Sequence, residues 1–151
     1  MHYGADLRNE RGAGASWFHE HGHLIDDAVG NMSDDKMFLD LLRDDALQYR
    51  LTYGKEHHLG TFGKVDKAIS LELNDMRKHS AVSDILQGVT GGNIQGCSGH
   101  EKDYWNNTKM ITAEAFAHMF EAQFDTVRYN ELKKYFPESL TYFEKKIKEV
   151  L

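Results

Sequence analysis

Apolar residues recur at three- and four-residue spacing along most of this chain, and a single proline, Pro137, interrupts its 151 residues. That spacing gathers apolar side chains on one face of a helix, whereas strands need alternation at every second position. A mainly α fold follows. Residues 1–14 read as an irregular lead punctuated by Gly4, Gly12 and Gly14, and a helix from about Ser16 ends near Gly30-Asn31. Ser33 or Asp34 then caps a second helix whose buried face is Phe38, Leu41, Leu42, Ala46 and Tyr49. Gly54 to Gly63 breaks the pattern. A third helix carries Val65, Ala68, Ile69, Leu73 and Met76, and Val82, Ile85, Leu86 and Val89 suggest a short fourth. Gly88 through Gly96 is the stretch richest in glycine and is expected to be a loop or a small hairpin. A fifth helix runs from about Thr112 through Phe124 with Phe116, Ala117, Phe120 and Phe124 on its apolar side. Pro137, suited to a first turn, opens the last helix, where Leu140, Phe143, Ile147 and Leu151 face inward.

The length suits one domain spanning 1–151, whether the chain is whole or a segment of a longer protein. Forty per cent hydrophobic and 28% charged residues place it among ordinary globular proteins. A net charge of -6 argues against a nucleic-acid partner, because phosphate contacts need clustered Lys and Arg. A peptide or small-molecule partner fits better. Cys97 is the only cysteine, so no intrachain disulfide forms and a reducing compartment is the simpler expectation. The N-terminal residues lack the basic start and apolar run of a secretory signal, and no stretch approaches the ~20 apolar residues that span a bilayer. A cytoplasmic location without membrane contact is expected.

Chemistry enters with His19-Glu20-His21-Gly22-His23, which satisfies H-E-x-x-H inside the first expected helix. Residues four apart lie one turn above each other, so the imidazoles of His19 and His23 can reach one zinc ion at about 2.0–2.1 Å. Glu20 projects about 100° round the helix, beside the ion, where a carboxylate can act as general base on a zinc-bound water. His21 points away from the pair. Asp26 shares the face of His19 and His23 and can accept the second N–H of a ligand imidazole, while Asp27 reads as solvated.

A catalytic zinc requires a third protein ligand. The metzincin arrangement needs a glycine at position 26 and a histidine at position 29, where Asp26 and Val29 stand. Glu114 and His118, one turn apart on the fifth helix, are the best remaining candidates. His57, His58, His79 and His100 rank lower, since each falls in a loop or near an element end.

His19-Glu20-His21-Gly22-His23-Leu24-Ile25-Asp26-Asp27, followed by Ala113-Glu114-Ala115-Phe116-Ala117, resembles the HExGHxxD zincin metallopeptidases with a downstream glutamate ligand. These include the catalytic domain of anthrax lethal factor and are similar to peptidase-like domains of phage minor head proteins. The resemblance covers about residues 15–30 and 99–124. It implies a zincin-like helical domain with a reduced or absent β-sheet, His19, His23 and Glu114 as zinc ligands, and Glu20 as catalytic base. It also implies His118 in support and Tyr104 as the hydroxyl donor to the oxyanion. Read from the residues alone, Tyr104 is equally an aromatic packing beside Trp105. The implied activity is hydrolysis of a peptide or protein substrate in a phage or prophage setting, in the host cytoplasm or the virion, with phage structural proteins as partners. A metal-stabilised structural or interaction module of a phage particle, without catalytic activity, is the alternative.

Overall fold

The computed structural model describes Gly22, His23, Ile25 and Asp26, and then residues 34–150. The expected ligand His19 and base Glu20 lie outside the described residues, as does Leu151. Gly22, His23, Ile25 and Asp26 are helical, in keeping with a helix through the motif.

Six α-helices follow: α1 Lys36–Glu56, α2 Phe62–Glu72, α3 Met76–Val89, α4 Thr108–Ala122, α5 Thr126–Tyr135 and α6 Pro137–Val150, with a 3-10 turn at Lys102–Asn106 before α4. The fold is mainly α, and no strand occurs among the described residues. Helix α3 is the hub: it packs on α1, α4 and α5, while α1 also carries α2 and α6. Its residues His79 to Leu86 are buried without a break. The core around it is built from Phe38, Leu42, Ile69, Val82, Ile85, Leu86, Phe116, Leu132, Phe136 and Phe143.

Local chemistry sets the boundaries. Asp35, one residue beyond the expected cap, accepts from the backbone N–H groups of Met37 and Phe38 at 2.9 and 3.3 Å and starts α1. Gly54 does not end that helix; it lies buried within it, and the chain leaves at His57 and His58, the latter at φ 55°. The expected third helix stops at Glu72, because Asp75 accepts from Arg77 and Lys78 and begins α3 at Met76. The fourth helix is therefore 14 residues long instead of short. Gly91 and Gly92, both at positive φ, turn the chain in a loop with no hairpin. Asn107 caps α4, which begins at Thr108, four residues before the expected start, and Phe124 falls beyond its end, 58% exposed. Helix α5 was not expected at all. Its buried face holds Arg128 and Glu131 beside Leu132 and Tyr135, so its apolar period is broken by charge.

Candidate metal centre

Helix α4 is buried round almost its whole circumference, yet it carries three ionisable side chains inward: Glu114, His118 and Glu121. Each must be satisfied, since an unpaired buried charge is strongly unfavourable. His118 lies between two carboxylates, with Nε2 2.7 Å from Asp84 Oδ2 of α3 and Nδ1 2.9 Å from Glu121 Oε1. Burial opposes charge on this imidazole, but the hydrogen bonds to Asp84 and Glu121 outweigh it and push its pKa up to about 9. Both ring nitrogens are engaged, so His118 supports the cluster and is not placed to bind an ion.

The other oxygen of Asp84, Oδ1, takes the Nδ1 of His100 at 2.7 Å. Burial works against the Asp84 carboxylate, yet bonds from His100 and His118 hold its pKa below the usual carboxylate range. The same bond to Asp84 raises the pKa of His100.

The loop that presents His100 is clamped to α3 by side chains on one face. Ser83 donates its hydroxyl to the Ser98 carbonyl at 2.6 Å and accepts from the Ser98 N–H. Gln87 Oε1, one turn on, accepts from the His100 backbone N–H at 2.7 Å and from Trp105 Nε1 at 2.9 Å. Gly99 lets the loop lie this close: a Cβ there would stand 2.3 Å from Gln87 Oε1. Tyr104, in the 3-10 turn, stacks on His100 at 3.9 Å between ring centroids with 9° between planes, and Trp105 meets both rings edge-on.

These groups converge on Glu114. Its Oε1 accepts from the Tyr104 hydroxyl at 2.5 Å and lies 3.7 Å from His100 Nε2 and 3.8 Å from His23 Nε2. Burial and the bond to Glu114 together raise the Tyr104 pKa. His23 reaches this point because Gly22 lies against α4. A Cβ on Gly22 would stand 2.7 Å from Ala117 Cα and 3.1 Å from Phe120 Cβ, so glycine alone permits that approach. Asp26, expected near the ligand imidazoles, is 3% exposed.

Of the residues singled out from sequence, His23, Tyr104 and Glu114 are thus brought together, with His118 behind them. His57 and His58 are exposed, and His79 is buried apart, accepting from the Asp75 N–H and facing Glu131. His100, ranked with them for its loop position, instead sits in the cluster, because α3 clamps the loop. Asp84 was not singled out; a lone aspartate in an apolar helix carries no signal until its partners from residues 100 and 118 are placed against it.

The donor set fits a divalent ion. His100 and Glu114 present donor atoms here, and an Asp84 oxygen makes a third within 4.8 Å of them, although both Asp84 oxygens already bond imidazoles. Ligands bound to one zinc at about 2.0–2.2 Å stand roughly 3.3–3.5 Å apart in a tetrahedron, close to the 3.7 and 3.8 Å that separate His100 and His23 from Glu114. Imidazole and carboxylate donors suit zinc and equally other divalent first-row ions such as iron, nickel and copper. Compared with known proteins, the chain matches no family model, no curated protein and no solved structure. No helix among the described residues is long and apolar enough to cross a membrane.

Proposed function

We propose that this protein is a zinc-dependent peptidase, with His19, His23 and Glu114 as zinc ligands and Glu20 as general base. The observation that carries the reading is the 3.8 Å approach of His23 Nε2 to Glu114 Oε1, two groups 91 positions apart in the chain. A shared ion accounts for the meeting of these two groups, and an imidazole facing a buried carboxylate is also what an ion pair without metal would give. Zinc, when bound, supplies a Lewis acid and lowers the pKa of its water toward ~7.

The chain's own residues do the rest. Glu114 offers a carboxylate oriented by the Tyr104 hydroxyl. Released from Glu114 and turned toward an oxyanion, that hydroxyl would be a donor of a kind worth about 3 kcal/mol of transition-state stabilisation. His118 and Asp84 keep the buried face of the site charged and ordered. A phage or prophage setting, with a peptide or a phage structural protein as substrate, rests on the motif resemblance alone.

One observation favours a second reading, a metal-stabilised module without turnover: Glu114 is only 5% exposed, which suits a structural ion. Zinc stoichiometry of the purified chain beside His23→Ala and Glu114→Ala tests both readings at once. About one zinc per chain, lost in each variant, is expected. A parent that takes up none after metal-replete preparation refutes the zinc reading. Glu20→Gln separates the two, since a peptidase keeps its zinc and loses hydrolysis of a casein substrate, and a structural site has no hydrolysis to lose.

A further inference from the structure

We infer that His100 is an additional ligand to the ion held at Glu114, oriented for that task by Asp84; this rests on the zinc reading above. A ligand histidine normally gives its second ring N–H to a carboxylate, which fixes the tautomer and directs the other nitrogen at the metal. His100 has this arrangement. Its Nδ1 bonds Asp84 Oδ1 at 2.7 Å, and its Nε2 faces Glu114 Oε1 at 3.7 Å.

Asp84 itself is not a ligand, although its oxygens lie near those of Glu114. Oδ1 is engaged by His100 and Oδ2 by His118, so it acts as a positioning residue for both rings. The His100 ring has little freedom to be elsewhere: Tyr104 stacks on its face, Trp105 closes its edge, and Gln87 holds its backbone N–H. Such enclosure is what a preorganised ligand needs. With His19, His23 and Glu114 as the proposed ligands, His100 would complete four protein donors. Catalytic zinc sites hold three protein ligands and a water, so a fourth protein donor matches the closed count of a structural site and would favour the second reading above.

The test compares zinc affinity, by competition with a chromophoric chelator, and the visible spectrum of the cobalt-substituted protein, for the parent, His100→Phe, Asp84→Asn and His23→Ala. Phenylalanine preserves the stack on Tyr104 and removes only the nitrogens. His100→Phe should bind zinc at least tenfold more weakly and lose or shift the cobalt d–d bands, and Asp84→Asn should weaken zinc by about 10–100-fold. If the parent and His100→Phe share one affinity and one cobalt spectrum while His23→Ala loses zinc, His100 is not a ligand and the peptidase reading stands. If the parent binds no zinc, that reading itself fails. Should Asp84→Asn not fold, His100→Phe decides alone.

Discussion

Gly22→Ala probes the contact on which the candidate site depends. The new Cβ would stand 2.7 Å from Ala117 Cα, about 0.7 Å short of the 3.4 Å at which ordinary contact begins. The obstacle is α4 backbone, which cannot swing aside as a side-chain tip can, so the motif segment and α4 must part. Overpacking of this kind costs about 1–3 kcal/mol, against a gain of about 0.8–1 kcal/mol from alanine's better helix propensity. A net loss of up to roughly 2 kcal/mol corresponds to a fall in Tm of up to about 8 °C for a chain of this size. The site should suffer more than the fold. Two atoms bound to one zinc cannot lie farther apart than about 4.2 Å, and His23 Nε2 already stands 3.8 Å from Glu114 Oε1. Parting the segments by ~0.7 Å exceeds that limit, so zinc affinity should drop at least tenfold. Chelator competition measures the affinity, and a thermal melt of the zinc-free protein measures the fold. Zinc affinity within twofold of the parent, together with an unchanged Tm, would refute the close approach of Gly22 to α4.

The buried network also sets a pH window for the zinc-free protein. Asp84 has a folded pKa below its ordinary 3.8, so its contribution is present above about pH 4 and lost as pH falls through the folded value. His118, raised from 6.5 to about 9, contributes fully below pH 6.5 and loses its contribution as pH rises through 9. Urea unfolding should therefore show falling stability between pH 6.5 and 9, and His118→Leu should flatten that limb; a parent flat across this range would contradict the charged imidazole. Gln87→Leu removes the acceptor shared by the His100 N–H and Trp105 Nε1 and should cost roughly 2 kcal/mol; an unshifted tryptophan emission spectrum and unchanged stability would count against the clamp. Asp45, buried in α1, accepts from the Ser139 N–H and hydroxyl at 2.8 and 2.7 Å and so holds the start of α6. Asp45→Ala should destabilise by about 1.5–3 kcal/mol in the same assay, and no change would show that the bond is dispensable.

Helix content was legible in the sequence because burial of apolar side chains on one face imposes a period of 3.6. Phe38, Leu42 and Ala46 in α1, and Leu140 and Phe143 in α6, are buried as that period requires. The fixed φ of Pro137 likewise marked the start of α6. Local boundaries were harder to read: Asp35 and Asp75 cap helices by hydrogen bonds that several neighbouring residues could equally have made. Helix α5 escaped because Arg128 is buried by bonding Ser80, Met76 and Asp125, partners drawn from α3 and from its own start.

For the site, the sequence by itself led to the expectation that His19 and His23 share a helical face, and it determined that Glu114 and His118 lie one turn apart, which helix geometry alone gives. Tertiary structure decided which of them face the same point. The missing side chain of Gly22 lets one helix touch another, Ser83 and Gln87 pin a loop that would otherwise hold His100 in solvent, and Asp84 becomes meaningful only between two imidazoles from distant segments. Periodicity constrains neighbours along one helix, whereas a cluster of donors depends on how separate elements approach, which no local pattern encodes.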